Sequence, residues 1–209
     1  AVVVGAGRSG LAAARLLRRE GARVRLLDSN PKAFAGREAL AEDLRALGVE
    51  LLLGEHKPEM FAQAAFVVPS PGMPAVRLQG LVDTETSEIL AEMELAWRCL
   101  SDEPVLAVTG TSGKTTTASL AAAMLHEQGY AVFLGGNIGT PLSEYVLAGT
   151  RADVLVLEVS SFQLQTCTTF CPRAGILLNI TPNHLDYHKD MEEYITAKFR
   201  LFRCQDEGD

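Results

Sequence analysis

Short apolar runs alternate along the chain with longer stretches whose apolar residues recur every three or four positions, the pattern of strands and amphipathic helices in turn. The first half reads as a strand over 1–4, a glycine turn Gly5-Ala-Gly-Arg-Ser-Gly10, a helix over 11–20, and a strand over 23–27 that Asp28 closes. A helix near 37–47, strands over 50–53 and 65–68, the turn Pro69-Ser-Pro-Gly72 and an amphipathic helix over 87–100 follow. The polar, proline-bearing stretch Ser101-Asp-Glu-Pro104 reads as a link between domains. Beyond it come a strand over 105–108, helices over 114–128 and 190–202, and strands over 131–134, 154–159 and 174–180. Alternation of this kind predicts parallel sheets covered by helices in both halves, with ligands at the carboxyl ends of the strands.

The strand over 105–108 runs into Gly110-Thr-Ser-Gly-Lys-Thr-Thr116 and then into an alanine-rich helix. Backbone N–H groups of such a turn can converge on phosphate oxygens at a helix N-terminus, where the helix dipole already favours negative charge. Lys114 would reach the β- and γ-phosphates of a nucleotide, and Thr115 would ligate Mg²⁺. The longer P-loop pattern asks for glycine at 108, where this chain has Val108. A plainer alternative is a Gly/Ser/Thr turn that merely starts a helix. The first glycine turn, with Gly5, Gly7 and Gly10 after a strand and Asp28 ending the next, fits a dinucleotide fingerprint. On its own that turn is a weak signal, compatible with NAD, with a nucleotide-sugar diphosphate, or with helix packing alone.

Three further strand ends carry chemistry. Glu158 interrupts the apolar strand Val154-Leu-Val-Leu-Glu-Val159, where a carboxylate is costly unless it is paired or holds a cation. It is placed to share Mg²⁺ with Thr115, or else to form a buried ion pair. Asn179-Ile-Thr-Pro-Asn-His184-Leu-Asp186-Tyr-His188 leaves another strand, and His184 is the candidate there for a metal shell or a phosphate contact. Lys198 falls on the apolar stripe of Met191, Tyr194, Ile195, Phe199 and Phe202. Burial would leave it a neutral, nucleophilic amine; alternatively its stem lies on the stripe while the amine reaches water, which this helix alone favours.

Composition narrows the ligand class. Over 209 residues, 47% hydrophobic, the chain can bury sizeable cores, and no apolar run approaches the ~20 residues of a membrane span. A net charge of -7 disfavours nucleic acid and anionic membranes, so anionic ligands must be held by local devices, and small ligands fit better than polymers. No secretory leader is visible, which points to a cytoplasmic protein. Cys99, Cys167, Cys171 and Cys204 have no framework spacing and are expected to be reduced structural thiols. The chain opens inside a strand without methionine and stops soon after a helix, which reads as a segment of a longer polypeptide.

Taken together, Gly110-Thr-Ser-Gly-Lys-Thr-Thr116, Gly135-Gly-Asn-Ile-Gly139, Glu158-Val-Ser-Ser-Phe-Gln-Leu164, Asn179-Ile-Thr-Pro-Asn-His-Leu-Asp186 and Ala197-Lys198 resemble the Mur ligases of bacterial cell-wall synthesis. The shortened P-loop is the form this family uses, and the Ser-Ser-Phe-Gln-Leu run points to its D-glutamate-adding branch. The resemblance implies an α/β fold: a Rossmann-like domain over 1–103 that binds a UDP substrate, then the amino-terminal part of a P-loop ATPase-type domain over 104–209. It implies ATP held by Gly110, Thr111, Ser112, Gly113, Lys114, Thr115, Thr116 and Asn137. Mg²⁺ would occupy two sites, through Thr115 and Glu158 and through His184 and Lys198, the latter as a carbamate made with CO₂. Lys114, His184 and Lys198 would be the catalytic group. Arg8, Ser9, Asp28, Ser29, Ser70, Gly72, Asn137, Ser160 and His184 would contact the substrate, UDP-N-acetylmuramoyl-L-alanine.

The implied reaction makes an acyl phosphate from that substrate and ATP, which the amine of D-glutamate then opens; a monomer is expected. A third domain of the family carries much of the amino-acid site, so this segment alone is expected to bind weakly and not to turn over. Rival readings are a folate polyglutamate ligase, an NAD-binding oxidoreductase or sensor built on the first glycine turn, and a non-enzymatic P-loop switch.

Overall fold

The computed structural model describes residues 1–71, 73, 75–183 and 187–205, with the backbone alone at 75 and 76. Two all-parallel sheets form. In the first, β3 (Val49–Leu53), β2 (Val24–Asp28), β1 (Val2–Val4), β4 (Phe66–Pro69) and β5 (Glu88–Ile89) lie in that order. β1 is central and wholly buried, which is why its sequence is an unbroken apolar run instead of an alternating one. The chain order reverses between β2 and β4 on either side of β1, so a crevice opens at the carboxyl end of β1.

The glycines of the first turn have separate reasons. A Cβ on Gly5 would stand 1.8 Å from Ser70 Oγ, so this glycine lets the turn pass beside the end of β4, while one on Gly10 would stand 1.9 Å from the Gly5 carbonyl oxygen, so Gly10 allows helix α1 (Arg8–Arg19) to press against the sheet. Around Gly7 nothing lies within 4 Å, so its role is not packing. Asp28 shapes this turn as well, accepting from Ala6 N at 2.7 Å and Asn30 N at 2.9 Å.

The second sheet has the order β7 (Val132–Gly136), β8 (Val154–Glu158), β6 (Val105–Thr109), β9 (Ala174–Leu177). Helices α4 (Lys114–Glu127), α5 (Leu142–Ala148), α6 (Ser161–Gln165) and α7 (Met191–Phe199) belong to this half, α7 passing into a 3-10 turn over Arg200–Phe202. In the first half α2 spans Glu38–Ala46 and α3 Glu92–Trp97.

Between the sheets the two halves share one core, to which α1 gives Leu11 and Ala14, α3 Met93 and Leu95, α5 Leu142 and Tyr145. Polar clamps reinforce it. Glu94, fully buried on α3, accepts from Thr169 N at 2.9 Å, Thr169 Oγ1 at 2.7 Å, Phe170 N at 3.0 Å and Arg98 Nε at 3.0 Å. Burial alone would raise its pKa, but the bonds from Thr169 and Arg98 outweigh that and hold it below the usual carboxylate value. Nearby Glu92 is pushed up by burial and accepts from Ser143 N at 2.6 Å.

Three expectations need correction. The helix over 87–100 is instead strand β5 followed by the short α3, because Glu88 N and Leu90 N donate to the Ala65 and Val67 carbonyls and extend the sheet. A short apolar run reads alike as strand or helix, and the sheet edge decided it. Helix α1 begins three residues early, at Arg8, with Gly7 as its extended N-cap. Not all cysteines are free: Cys171 and Cys204 are joined with Cα atoms 5.7 Å apart, tying the segment before β9 to the end of the 3-10 turn, while Cys99 and Cys167 remain thiols. Their separation of 33 in sequence gave no pairing signal.

Candidate nucleotide and metal site

At the carboxyl end of the second sheet, Gly110 to Thr116 wraps the start of α4, whose N-cap Gly113 adopts φ 82°. Asn179, leaving β9, braces the loop. Its Oδ1 accepts from Thr111 N at 3.1 Å and Ser112 N at 3.0 Å, and its Nδ2 donates to the Ser112 carbonyl at 3.1 Å. Thr111 Oγ1 meets Tyr194 Oη of α7 at 2.9 Å. Lys114 Nζ donates to the Thr111 carbonyl at 3.1 Å, folded back over the loop it would share with phosphates.

Glu158 ends β8 and is 2% exposed. Thr115 Oγ1 donates to its Oε2 at 2.6 Å and Asn137 Nδ2 to its Oε1 at 2.8 Å. The loop after β7 reaches this point because Gly136 passes against β8, where a Cβ would stand 2.5 Å from the Glu158 carbonyl oxygen. Among the described residues no lysine or arginine forms a salt bridge with Glu158, so the buried ion pair is not what stabilises it. A hydroxyl and a carboxylate in contact are hard oxygen donors of the kind Mg²⁺ accepts beside nucleotide phosphates. Among the described residues no three of His, Cys, Asp and Glu gather as a metal cluster.

Lys198 is 2% exposed, and its amine does not reach water. Nζ donates to the Gly110 carbonyl at 2.9 Å and lies 4.7 Å from the Tyr194 ring centroid. Desolvation first, and the charge of Lys114 second, lower its pKa to about 8. The alternative of a stem on the apolar stripe with its amine in solvent is thereby overturned. Lys114, Thr115, Glu158, Asn137 and Lys198 thus surround one loop. His184 and Gly72 lie outside the described residues.

Of the remaining candidates, Ser70 lines the crevice between the two halves. Ser70 Oγ donates to the Val4 carbonyl at 2.8 Å, beside Gly5. Ser9 sits in the first turn of α1, and Ser29 is exposed after β2. Ser160 spends its hydroxyl as the N-cap of α6, accepting from Gln163 N at 3.3 Å in a reciprocal capping box. Arg8 turns away from the crevice, towards Glu144 of α5. The crevice is lined by Ser70, Met73, Glu92, Phe162 and Tyr187, of which Phe162 and Tyr187 meet as tilted rings with centroids 3.9 Å apart. Tyr187 Oη donates to the Met73 carbonyl at 3.0 Å, joining the two halves over it. Sequence reasoning missed the parts played by Asn179 and Tyr194. An amide at a strand exit facing a P-loop was the available signal for the first; the second was read only as a member of an apolar stripe.

Two family models match the chain: the Mur ligase MurD-like N-terminal domain over residues 1–87 and the Mur ligase middle domain over residues 108–209. A UDP-N-acetylmuramoylalanine–D-glutamate ligase of Desulfovibrio desulfuricans is 84% identical over 209 residues, covering 100% of this chain and 48% of that relative. Another ligase of the same name, from Nitratidesulfovibrio vulgaris, is 65% identical over 210 residues, again covering 100% of this chain and 48% of the relative. The chain therefore spans about half the length of the curated relatives it matches. Among solved structures, the Neisseria meningitides UDP-N-acetylmuramate:L-alanyl-gamma-D-glutamyl-meso-diaminopimelate ligase superposes with a TM-score of 0.54 at 21% identity, over 97% of this chain and 67% of that one, which supports the fold. With both of its halves matched in order and the loop, carboxylate and buried lysine gathered at one strand end, the chain belongs to the Mur ligase family.

Proposed function

We propose that the protein to which this chain belongs is an ATP-dependent ligase that joins D-glutamate to UDP-N-acetylmuramoyl-L-alanine in making a peptidoglycan precursor. The observation that carries the reading is the contact of Thr115 with the buried Glu158, at a glycine loop flanked by two lysines. Identity of 84% over this whole chain to a relative of that name supports the substrate choice. Residues 1–103 would hold the uridine diphosphate part at the carboxyl end of β1, with Gly7, Ser9, Asp28, Ser29, Ser70 and Gly72 as its contacts. Residues 104–209 would hold ATP, with Lys114 and the loop N–H groups on its phosphates.

The acceptor's carboxylate oxygen attacks the γ-phosphorus; the bond from that phosphorus to the β,γ-bridging oxygen breaks, giving an acyl phosphate and ADP. The amine of D-glutamate then attacks the acyl carbon, phosphate leaves, and the nitrogen loses its proton to give the amide. Lys114 would follow the phosphoryl group, while Asn137 keeps Glu158 turned towards Thr115. Mg²⁺ held at Thr115 and Glu158 would neutralise charge on the phosphate oxygens. A second Mg²⁺ would engage His184 and Lys198. For that, the neutral Lys198 amine would add CO₂ and release a proton, turning a base into a carboxylate-like ligand; its depressed pKa supports this step. A cytoplasmic monomer fits the reading, and no helix among the described residues is long and apolar enough to cross a membrane.

Phosphate release by the full-length enzyme tests it. Release should require ATP, Mg²⁺, UDP-N-acetylmuramoyl-L-alanine and D-glutamate together. Equal release with a folate acceptor and L-glutamate, or release without any acceptor, overturns the assignment. Tight NADH binding unaffected by the UDP substrate would favour the oxidoreductase reading.

A further inference from the structure

Arg8 is the first residue of α1, inside the turn assigned above to the diphosphate, yet its guanidinium leaves that turn and crosses to the other half of the molecule. Nε donates to Glu144 Oε1 at 3.0 Å and Nη2 to Glu144 Oε2 at 2.7 Å, a two-pronged grip on the first turn of α5. Nη1 donates to the Gly139 carbonyl at 2.7 Å, and Nη2 also reaches Thr140 Oγ1 at 3.2 Å. Every one of these acceptors lies between Gly139 and Glu144, the stretch that closes the loop after β7. That loop carries Asn137, whose N–H donates to the Glu158 carbonyl at 2.8 Å and whose side chain donates to Glu158 Oε1 at 2.8 Å. The guanidinium therefore anchors the far end of the loop that orients the carboxylate facing Thr115.

We propose that Arg8 is a positioning residue: by gripping Gly139, Thr140 and Glu144 it holds the Asn137 loop, and through it Glu158, in register with the first glycine turn, and so links the uridine-nucleotide site to the ATP site without touching the uridine nucleotide. The proposal rests on the placement of those two sites given above. The planar fork matters to it, because a lysine at 8 would bring one point charge to a place where four donors are matched to separate acceptors. The fold does not depend on the pair. With side chains 56% and 32% exposed, it is solvated enough that its removal leaves the shared core intact.

The test uses the full-length protein and its R8A, R8K, E144A and R8A/E144A variants, with calorimetric binding of Mg·ADP and of UDP measured separately alongside thermal unfolding. R8A should weaken Mg·ADP binding by about 5-fold and UDP binding by less than about 2-fold, with the melting midpoint unmoved. R8K should not restore Mg·ADP binding, and R8A/E144A should lose no more than either single variant, the mark of residues acting as one unit. Weakened UDP binding with unchanged Mg·ADP binding would make Arg8 a nucleotide-sugar contact and overturn the proposal. Unchanged binding of both would make the link inert and overturn it equally. A protein that binds Mg·ADP but makes no product with D-glutamate sinks the ligase assignment, while these binding ratios still decide the link.

Discussion

Lys198 is enclosed beside the glycine loop, its amine on the Gly110 carbonyl. The free side chain titrates near 10.5 and the folded one near 8, so between those values the unfolded chain binds more protons than the folded one. Stability contributed by this side chain therefore rises with pH across that window, and below pH 8 the cost of burying an ammonium is fully present. In urea unfolding, the wild type minus K198M stability difference should rise by on the order of 2–3 kcal/mol from pH 7.5 to 10. The carbonyl of Gly110 left without its donor in K198M adds only a pH-independent offset. A flat or falling difference contradicts the enclosed amine. Glu158→Gln keeps the shape of the neighbouring carboxylate but not its charge. Acceptor-dependent phosphate release should fall by about 100-fold in the full-length enzyme, with circular dichroism unchanged; release at the wild-type rate would contradict the proposed metal-holding role of Glu158. Both residues stood out in the sequence because each breaks an apolar pattern, but for Lys198 that pattern alone favoured an amine in water, and only the packing against Gly110 encloses it. Asn179 was not, because an asparagine after a strand breaks none, and its value appears only when the P-loop folds against it.

Among the elements, the strands read most truly, since most of their apolar runs are short and bounded by turn residues; β5, inside a stretch that also fits a helix, is the exception. The helices were harder. α5 and α6 went unseen, although Gly149 in the left-handed conformation ends one and the Ser160–Gln163 capping box starts the other. They are too short for a 3.6-residue period to register, so their caps were the only local evidence. The β1–α1 turn separates packing from ligand binding within one motif. Gly10→Ala should cost about 1–3 kcal/mol, because its Cβ meets the backbone of Gly5, while Gly7→Ala should leave urea stability within about 0.5 kcal/mol. In the same Gly7→Ala protein, UDP binding should weaken, since in the proposed site a phosphate would come closest to the backbone in the open space there. Unchanged UDP affinity would assign the whole glycine pattern to packing. On α3, Glu94→Ala strands the N–H groups of Thr169 and Phe170 and should cost about 3 kcal/mol or more by urea titration. A loss well under 1 kcal/mol would mean that Glu94 does not clamp the halves.

At the scale of the molecule, two parallel sheets are fixed to one another by a common core of α1, α3 and α5, so the crevice at β1 and the loop at β6 hold a set distance. That arrangement suits a transfer between two bound substrates, in which position supplies much of the rate. Its two-sheet character followed from strand and helix alternation, but the fusion of the halves did not, because clamps such as Glu94 on Thr169 join residues far apart in sequence. The most direct measurement of the central claim follows oxygen. UDP-N-acetylmuramoyl-L-alanine carrying ¹⁸O in its terminal carboxylate, turned over with ATP and D-glutamate by the full-length enzyme, should deliver one ¹⁸O to the released phosphate. Phosphate free of the label, in a reaction that still forms the amide, would contradict an acyl phosphate made at this site.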